Sequence, residues 1–299
     1  MNQTISIFRS DSKQPVYHAV YDQALIEWPI PYETRYVETS YGDTHIIICG
    51  DSQLPPLLLI HGMTATSHMW SVNISELSRS FYVHCIDVPG DFGKSTVQQP
   101  LSNKESAARW LSELADGLQF DTFHLMGHSM GGFLSLNFAL VHPSRVRSLI
   151  LLAPAGSFAP LHWMFFLKVF PAVLFPKRWL ILLAFKWFMS KHNRLNLLSE
   201  SYKELLVAGY QCCVPQLKVV PSVFSKEELS RLHVPTLFLV GEDEVIYRSI
   251  EKAKSHAHHI PNITIVTLSR AGHLLSVEQK ERVNGLVIDF LNQQAGNTA

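Results

Sequence analysis

Six short, strongly apolar runs restrict the fold more than any other feature of the chain: Leu57-Leu58-Leu59-Ile60, Val83-His84-Cys85-Ile86, His124-Leu125-Met126, Leu149-Ile150-Leu151-Leu152, Leu237-Phe238-Leu239-Val240 and Thr264-Ile265-Val266. Runs this short are poor helices, and runs this uniformly apolar are poor strands for a sheet with one wet face. Each therefore reads as a strand buried on both sides. Helix-sized segments lie between most of them, at 67–79, 104–118, 130–142, 247–258 and 278–292. A parallel strand pair needs a crossover long enough to hold a helix, so the alternation predicts an α/β fold with a mostly parallel, doubly wound sheet. From Tyr32 to Ile48 two alternating runs flank Tyr41-Gly42-Asp43-Thr44, which predicts an antiparallel hairpin at one edge. Residues 12–28 read as a leading helix, with Ser12 as its cap and Trp28-Pro29-Ile30-Pro31 as its stop.

One region breaks the alternation. From about Ser157 to Ser225 no parallel-sheet strand is evident, and the composition turns aromatic, with Trp163, Phe165, Phe166, Phe170, Phe175 and Trp179 in its first third. It reads as a helical insertion capping the main domain, with an apolar face that lines an acyl or aromatic pocket. The expected organisation is a helical extension over 1–31, a core over 32–156 and 226–299, and a cap over 157–225. Because the insertion carries Lys168, Lys177, Arg178, Lys186 and Lys191 with no acid before Glu200, weak contact with a membrane surface through the cap is a second expectation. A transmembrane segment is not expected: the uncharged stretch Trp179 to Phe185 is far short of the ~20 residues a bilayer core requires, and Pro171 and Pro176 interrupt the rest.

Net charge narrows the partners. With 25 basic and 25 acidic side chains the formal charge is zero, which gives no electrostatic case for nucleic acid and favours a small, neutral ligand. The four cysteines (Cys49, Cys85, Cys212, Cys213) have no metal-ligand spacing and read as reduced structural thiols. The first residues lack a basic segment followed by an apolar core, so a cytoplasmic location is expected.

The chemistry centres on Gly127-His128-Ser129-Met130-Gly131, placed where a buried strand hands over to a helix. Glycines two residues before and after the serine suit a turn sharp enough to strain Ser129, as a nucleophile elbow requires. A serine hydroxyl needs a histidine to take its proton and an acid to orient that histidine. His273 follows the last strand-like run in Arg270-Ala271-Gly272-His273, which brings it to the same sheet edge as Ser129. His124 and the His256, His258, His259 cluster lack that placement and read as packing or surface residues. The acid should follow the preceding strand, where Gly241-Glu242-Asp243-Glu244 offers three carboxylates. The loop after Leu152, Ala153-Pro154-Ala155-Gly156, offers none.

The elbow, the Ser, acid, His order and the histidine loop resemble the α/β-hydrolase superfamily over about residues 32–292. That resemblance implies an acid three residues after Gly241, at Glu244, with Asp243 the alternative and the unused acids ordinary solvated loop charges. It also implies an oxyanion hole from the backbone N–H groups of Met63, in the His61-Gly62-Met63 loop, and Met130. Asp87-Val88-Pro89-Gly90-Asp91-Phe92-Gly93-Lys94-Ser95 is similar to the superfamily's glycine loop with one extra residue, and reads as scaffold. A closer likeness, carried by Val223 to Leu229, Gly241 to Tyr247 and Ala271 to Gln279, is to bacterial carboxylesterases that hydrolyse esters of arylpropionic acids. The expected activity is therefore serine carboxylesterase action on small esters with an apolar or aromatic acyl group, with no cofactor and no metal. Lipase, carbon-carbon bond hydrolase and perhydrolase chemistry can run on the same triad, and a low-turnover small-molecule receptor is the non-enzymatic alternative.

Overall fold

A computed structural model describes residues 4–296, and each of the six apolar runs lies within a strand of one eight-stranded sheet. The strands are β1 (Glu33–Thr39), β2 (Gly42–Cys49), β3 (Pro56–Ile60), β4 (Tyr82–Ile86), β5 (Phe123–His128), β6 (Val146–Leu152), β7 (Thr236–Gly241) and β8 (Ile263–Leu268). Their order is β1-β2-β4-β3-β5-β6-β7-β8, with β1-β2 and β2-β4 antiparallel and every later pair parallel. Alternation along the strands sends Leu57 and Leu59 to one face and Leu58 and Ile60 to the other, and both faces are dry. Winding reverses at β3, which has β4 on one side and β5 on the other. Such a reversal opens a crevice at the carboxyl ends of the strands, where ligands of open α/β sheets bind.

The helices are α1 (Lys13–Ile26), α2 (Ile74–Leu77), α3 (Lys104–Gly117), α4 (Met130–Val141), α5 (Met164–Leu174), α6 (Arg178–Phe188), α7 (Glu200–Cys212), α8 (Lys226–Ser230), α9 (Ile250–Ala257), α10 (Leu275–Glu278) and α11 (Lys280–Gly296). Two expected helices are broken. The segment 67–79 is a 3₁₀ turn, Ser67–Val72, then α2, because Asn73 turns inward to give its side-chain amide to the Ser276 carbonyl (3.0 Å) and the Asn284 side chain (2.8 Å). The last helix starts earlier, as α10, and restarts after Gln279. Ser12 precedes α1 but does not cap it. Its backbone is already helical and its hydroxyl sits 3.0 Å from that of Ser10.

Pro171 does not end a helix either; it lies inside α5, where the carbonyl it leaves without an intrahelical donor belongs to the exposed Leu167. No helix among the described residues is long and apolar enough to cross a membrane.

The N-terminal segment straps the region between β6 and β7. Ile7 and Arg9 pair with the chain after α7 (Val214 N–H to Ile7 carbonyl 2.6 Å, Arg9 N–H to Cys212 carbonyl 2.8 Å), and α1 packs on α7. From α1 the buried Tyr21 hydroxyl donates to Asp87 at 2.8 Å. Asp87 also accepts from the Ser67 backbone and hydroxyl and faces the His45 ring at 2.9 Å. Burial alone would raise its pKa, but the His45 ring and these donors outweigh it and hold the carboxyl well below the usual carboxylate range.

A depressed folded-state pKa means stability that is complete above the unfolded value, near pH 4, and lost as pH falls below it. Asp87→Asn is therefore expected to cost about 2–3 kcal/mol at neutral pH, with the gap to wild type closing below about pH 4. Urea unfolding across that range measures it, and a gap that widens on acidification contradicts the reading.

Candidate active site

Ser129 stands alone between the end of β5 and the first turn of α4, with φ 52° and ψ −114°. A side chain other than glycine stays in that region only when its surroundings hold it. Here the Ser129 N–H donates to the Leu152 carbonyl (2.9 Å), and the Ser129 carbonyl accepts from Ala155 (2.9 Å) and Phe133 (3.0 Å). Sheet, following loop and helix thus each fix one peptide group. The tightness explains the flanking glycines: a Cβ on Gly131 would collide with the Ile60 and His61 carbonyls, and one on Gly127 with the Gly131 carbonyl.

Glu244 and His273 reach the same sheet edge from β7 and β8. The His273 Nδ1 lies 2.9 Å from Glu244 Oε2, while Glu244 Oε1 accepts the Ile246 N–H at 2.8 Å. Both side chains are buried. Asp243 points elsewhere and accepts from the Ser190 hydroxyl at 2.5 Å, so it is not the plain solvated charge expected of an unused acid. The neighbouring Glu242 is exposed.

Three contacts here were not anticipated. The His273 N–H donates to the Phe188 carbonyl (2.7 Å) at the end of α6. Glu278, the last residue of α10, accepts from Gly272 (3.0 Å), Ser190 (2.8 Å) and Asn193 (2.7 Å). His128 places its Nε2 2.7 Å from the His273 carbonyl, and burial, with His273 nearby, pushes its pKa down to about 3, so the ring is neutral and donates. Only a buried polar residue inside the elbow motif hinted at this last role.

The His61-Gly62-Met63 loop meets the elbow closely: a Cβ on Gly62 would lie 3.3 Å from that of Ser129 and 2.9 Å from His128 Nδ1. His61 is structural, accepting the Val88 N–H at 3.0 Å. Among the described residues neither the Met63 N–H nor the Met130 N–H is used by another backbone carbonyl, and Met130 opens α4, where an N–H has no intrahelical acceptor. The next residue, Thr64, has φ 57°. Asp91 grips it, both carboxylate oxygens accepting the Thr64 N–H (3.0 and 3.1 Å) and one also the Phe92 N–H (2.8 Å). From the other side the Thr64 hydroxyl meets Tyr210 of α7 at 2.9 Å.

Asp91, read from the sequence as scaffold, is thus the anchor of the loop carrying Met63. Burial pushes its pKa up to about 7 despite the N–H donors. With Met63 expected as an oxyanion donor, Asp91→Ala should lower kcat about 10- to 100-fold, short of the full loss of such a donor, with KM little changed and partial recovery in Asp91→Asn. An unchanged kcat in a folded Asp91→Ala variant removes this role.

Ser129, His273, Met63 and Met130 all line one cavity of about 280 Å³. Its other walls are mostly apolar, among them Leu161, Phe165, Val169 and Phe185 from the segment between β6 and β7 and Ile246 from the acid loop. His128 also lines it, whereas the other histidines considered from the sequence stay outside: His124 packs edge-on against Phe81, and His256 bonds the Phe224 carbonyl at 2.8 Å. Among the described residues no group of three histidine, cysteine or acidic side chains is arranged to hold a metal ion.

A nucleophile elbow, a paired acid and histidine, and a loop against the serine at the winding reversal of a mostly parallel sheet define an α/β-hydrolase, and the chain belongs to that fold family. Residues 55–186 match the family model described as the alpha/beta hydrolase fold. The chain is similar to two curated proteins of Bacillus subtilis (strain 168): carboxylesterase YbfK, 34% identical over 92% of this chain and 93% of that protein, and the uncharacterized carboxylesterase nap, 32% identical over 94% and 93%. Among solved structures, the naproxen esterase (carboxylesterase NP) from Bacillus subtilis superimposes with a TM-score of 0.88 at 32% identity, covering 94% of this chain and 99% of that one.

Proposed function

We propose that this protein is a serine carboxylesterase that hydrolyses small esters with an apolar or aromatic acyl group through an acyl-enzyme at Ser129. The observation that carries the reading is the Glu244–His273 pair opening, with the strained Ser129, into one apolar cavity. In the proposed cycle the Ser129 hydroxyl attacks the ester carbonyl while His273 Nε2 takes its proton. Glu244 holds the Nδ1–H and so fixes the tautomer and stabilises the imidazolium. The Met63 and Met130 N–H groups receive the developing oxyanion, and the imidazolium protonates the leaving alkoxide. Water then repeats the sequence on the acyl-enzyme and releases the acid.

The segment 157–225 serves as the cap that shapes the acyl pocket, on a core of 32–156 and 226–299, with 1–31 bracing the cap. The aromatic wall, together with the likeness to an enzyme described as a naproxen esterase, favours aryl-substituted acyl groups. Four free, buried cysteines suit a reducing compartment, in keeping with a cytoplasmic address.

The test is hydrolysis of p-nitrophenyl esters from acetyl to dodecanoyl, and of a 2-arylpropionyl ester, at neutral pH without added metal. Turnover that peaks at intermediate length and includes the arylpropionyl ester is expected of a small enclosed pocket. A folded protein inactive on the whole series sinks the reading and moves carbon-carbon hydrolysis or ligand reception ahead.

A further inference from the structure

One face of the molecule is apolar without being covered. Trp163, just before α5, and Phe166, Leu167, Phe170 and Leu174 on it recur at helical spacing and are each between 54% and 59% exposed. Phe175, Trp179 and Leu183 continue the patch across the turn onto α6, at 59% to 63%. Isolated exposed apolar residues need no explanation, but eight large ones on two packed helices exceed what a surface facing only water carries. The charge on the segment that carries them has one sign. Between Ser157 and Ser199 there are six basic residues and no acid. Arg178 is paired with Glu200 and Glu204, and Lys186 with the Asn193 carbonyl. Lys168, Lys177, Lys191 and Arg194 are exposed, and among the described residues none of them has an acidic partner.

We propose that the α5–α6 face docks on an anionic lipid surface and that apolar esters enter the cavity from that surface. An amphipathic helix with large aromatic and aliphatic groups on one side and lysines beside them lies in the plane of a headgroup layer, the apolar groups below it and the ammonium groups at the phosphates. Because the chain has zero net charge, this attraction is local to the face and orients the molecule rather than drawing it in as a whole. The orientation places the cavity at the lipid. Phe166 belongs to both the exposed stripe and the cavity wall, and the other exposed wall residues are the apolar Met63 and Val220 and the basic Lys218. The entry route rests on the carboxylesterase reading, whereas the docking does not.

The experiment is co-sedimentation of the full chain with vesicles of phosphatidylcholine alone or mixed with phosphatidylglycerol, at low and high salt. A soluble p-nitrophenyl acetate assay and an assay with a long-chain ester dissolved in the vesicles run alongside. Wild type is expected to sediment with the mixed vesicles at low salt. Phe170→Ser/Trp179→Ser, neither residue lining the cavity, is expected to partition at least about tenfold more weakly. That variant should keep its rate on the soluble ester and lose most of its rate on the vesicle-borne one. Lys168→Glu/Lys177→Glu should lose the preference for phosphatidylglycerol. Equal sedimentation of wild type and the Phe170→Ser/Trp179→Ser variant overturns the proposal. So does a wild type that ignores vesicles and forms dimers which these substitutions dissociate, since the face then joins two copies of the chain. Sedimentation without hydrolysis of any ester upholds the docking and removes the carboxylesterase reading instead.

Discussion

Ser129→Ala is expected to lower kcat/KM on p-nitrophenyl esters by about 10⁴-fold or more, leaving only what binding and the backbone donors supply. The size follows from the chemistry. Without the hydroxyl no acyl-enzyme forms, and any remaining reaction must run by direct attack of water. The substitution is also structurally mild. Alanine suffers the same positive φ as serine, and the backbone hydrogen bonds with Leu152, Ala155 and Phe133 that hold the elbow do not involve the side chain. Circular dichroism and the thermal midpoint should match wild type, so lost activity is not lost fold. A folded variant retaining a tenth of the wild-type rate excludes Ser129 as the nucleophile.

The second large effect separates two adjacent acids. Glu244→Gln is expected to lower kcat about 10³- to 10⁴-fold, because the amide can turn a donor toward Nδ1 and favour the tautomer whose Nε2 already carries a proton. Asp243→Asn should stay within about tenfold of wild type, since its partner is the Ser190 hydroxyl, a neutral contact just past α6. Single-turnover measurements with a chromogenic ester compare the two directly, and a reversed ranking assigns the imidazole's partner to Asp243. The 2.9 Å contact between His273 and Glu244 argues for the ranking as stated.

Much of this architecture can be read from residues alone, for identifiable reasons. Buried parallel strands must be apolar on both faces, so Leu57–Ile60 and Leu237–Val240 declare themselves. A strained serine needs small neighbours, so Gly127 and Gly131 mark Ser129. What stayed hidden depends on which distant segments meet. Nothing local tells that Asp91 faces Thr64 or that Tyr21 of α1 reaches Asp87, 66 positions on. Nor does any local pattern show that Glu278 gathers donors from Ser190, 88 positions away. Asn73 misled for the same reason: its side-chain partners lie on α10 and α11, and they broke a helix that periodicity favoured. Ser12 and Pro171 show the other limit, since a residue type suited to capping or breaking acts only if the neighbouring groups leave it that role.

The middle of the cap segment, just past α6, is stitched to the histidine loop by backbone groups rather than side chains alone: Phe188 carbonyl to His273, Ser190 N–H to Glu278, and Asn193 to both Arg270 and Glu278. Specificity engineered by exchanging caps between relatives therefore has a natural seam. A graft of the donor's 157–225 alone sets a foreign 189–194 against the recipient's histidine loop, whereas one that also carries the donor's Glu278 counterpart transfers a pocket and its anchorage as one heritable part.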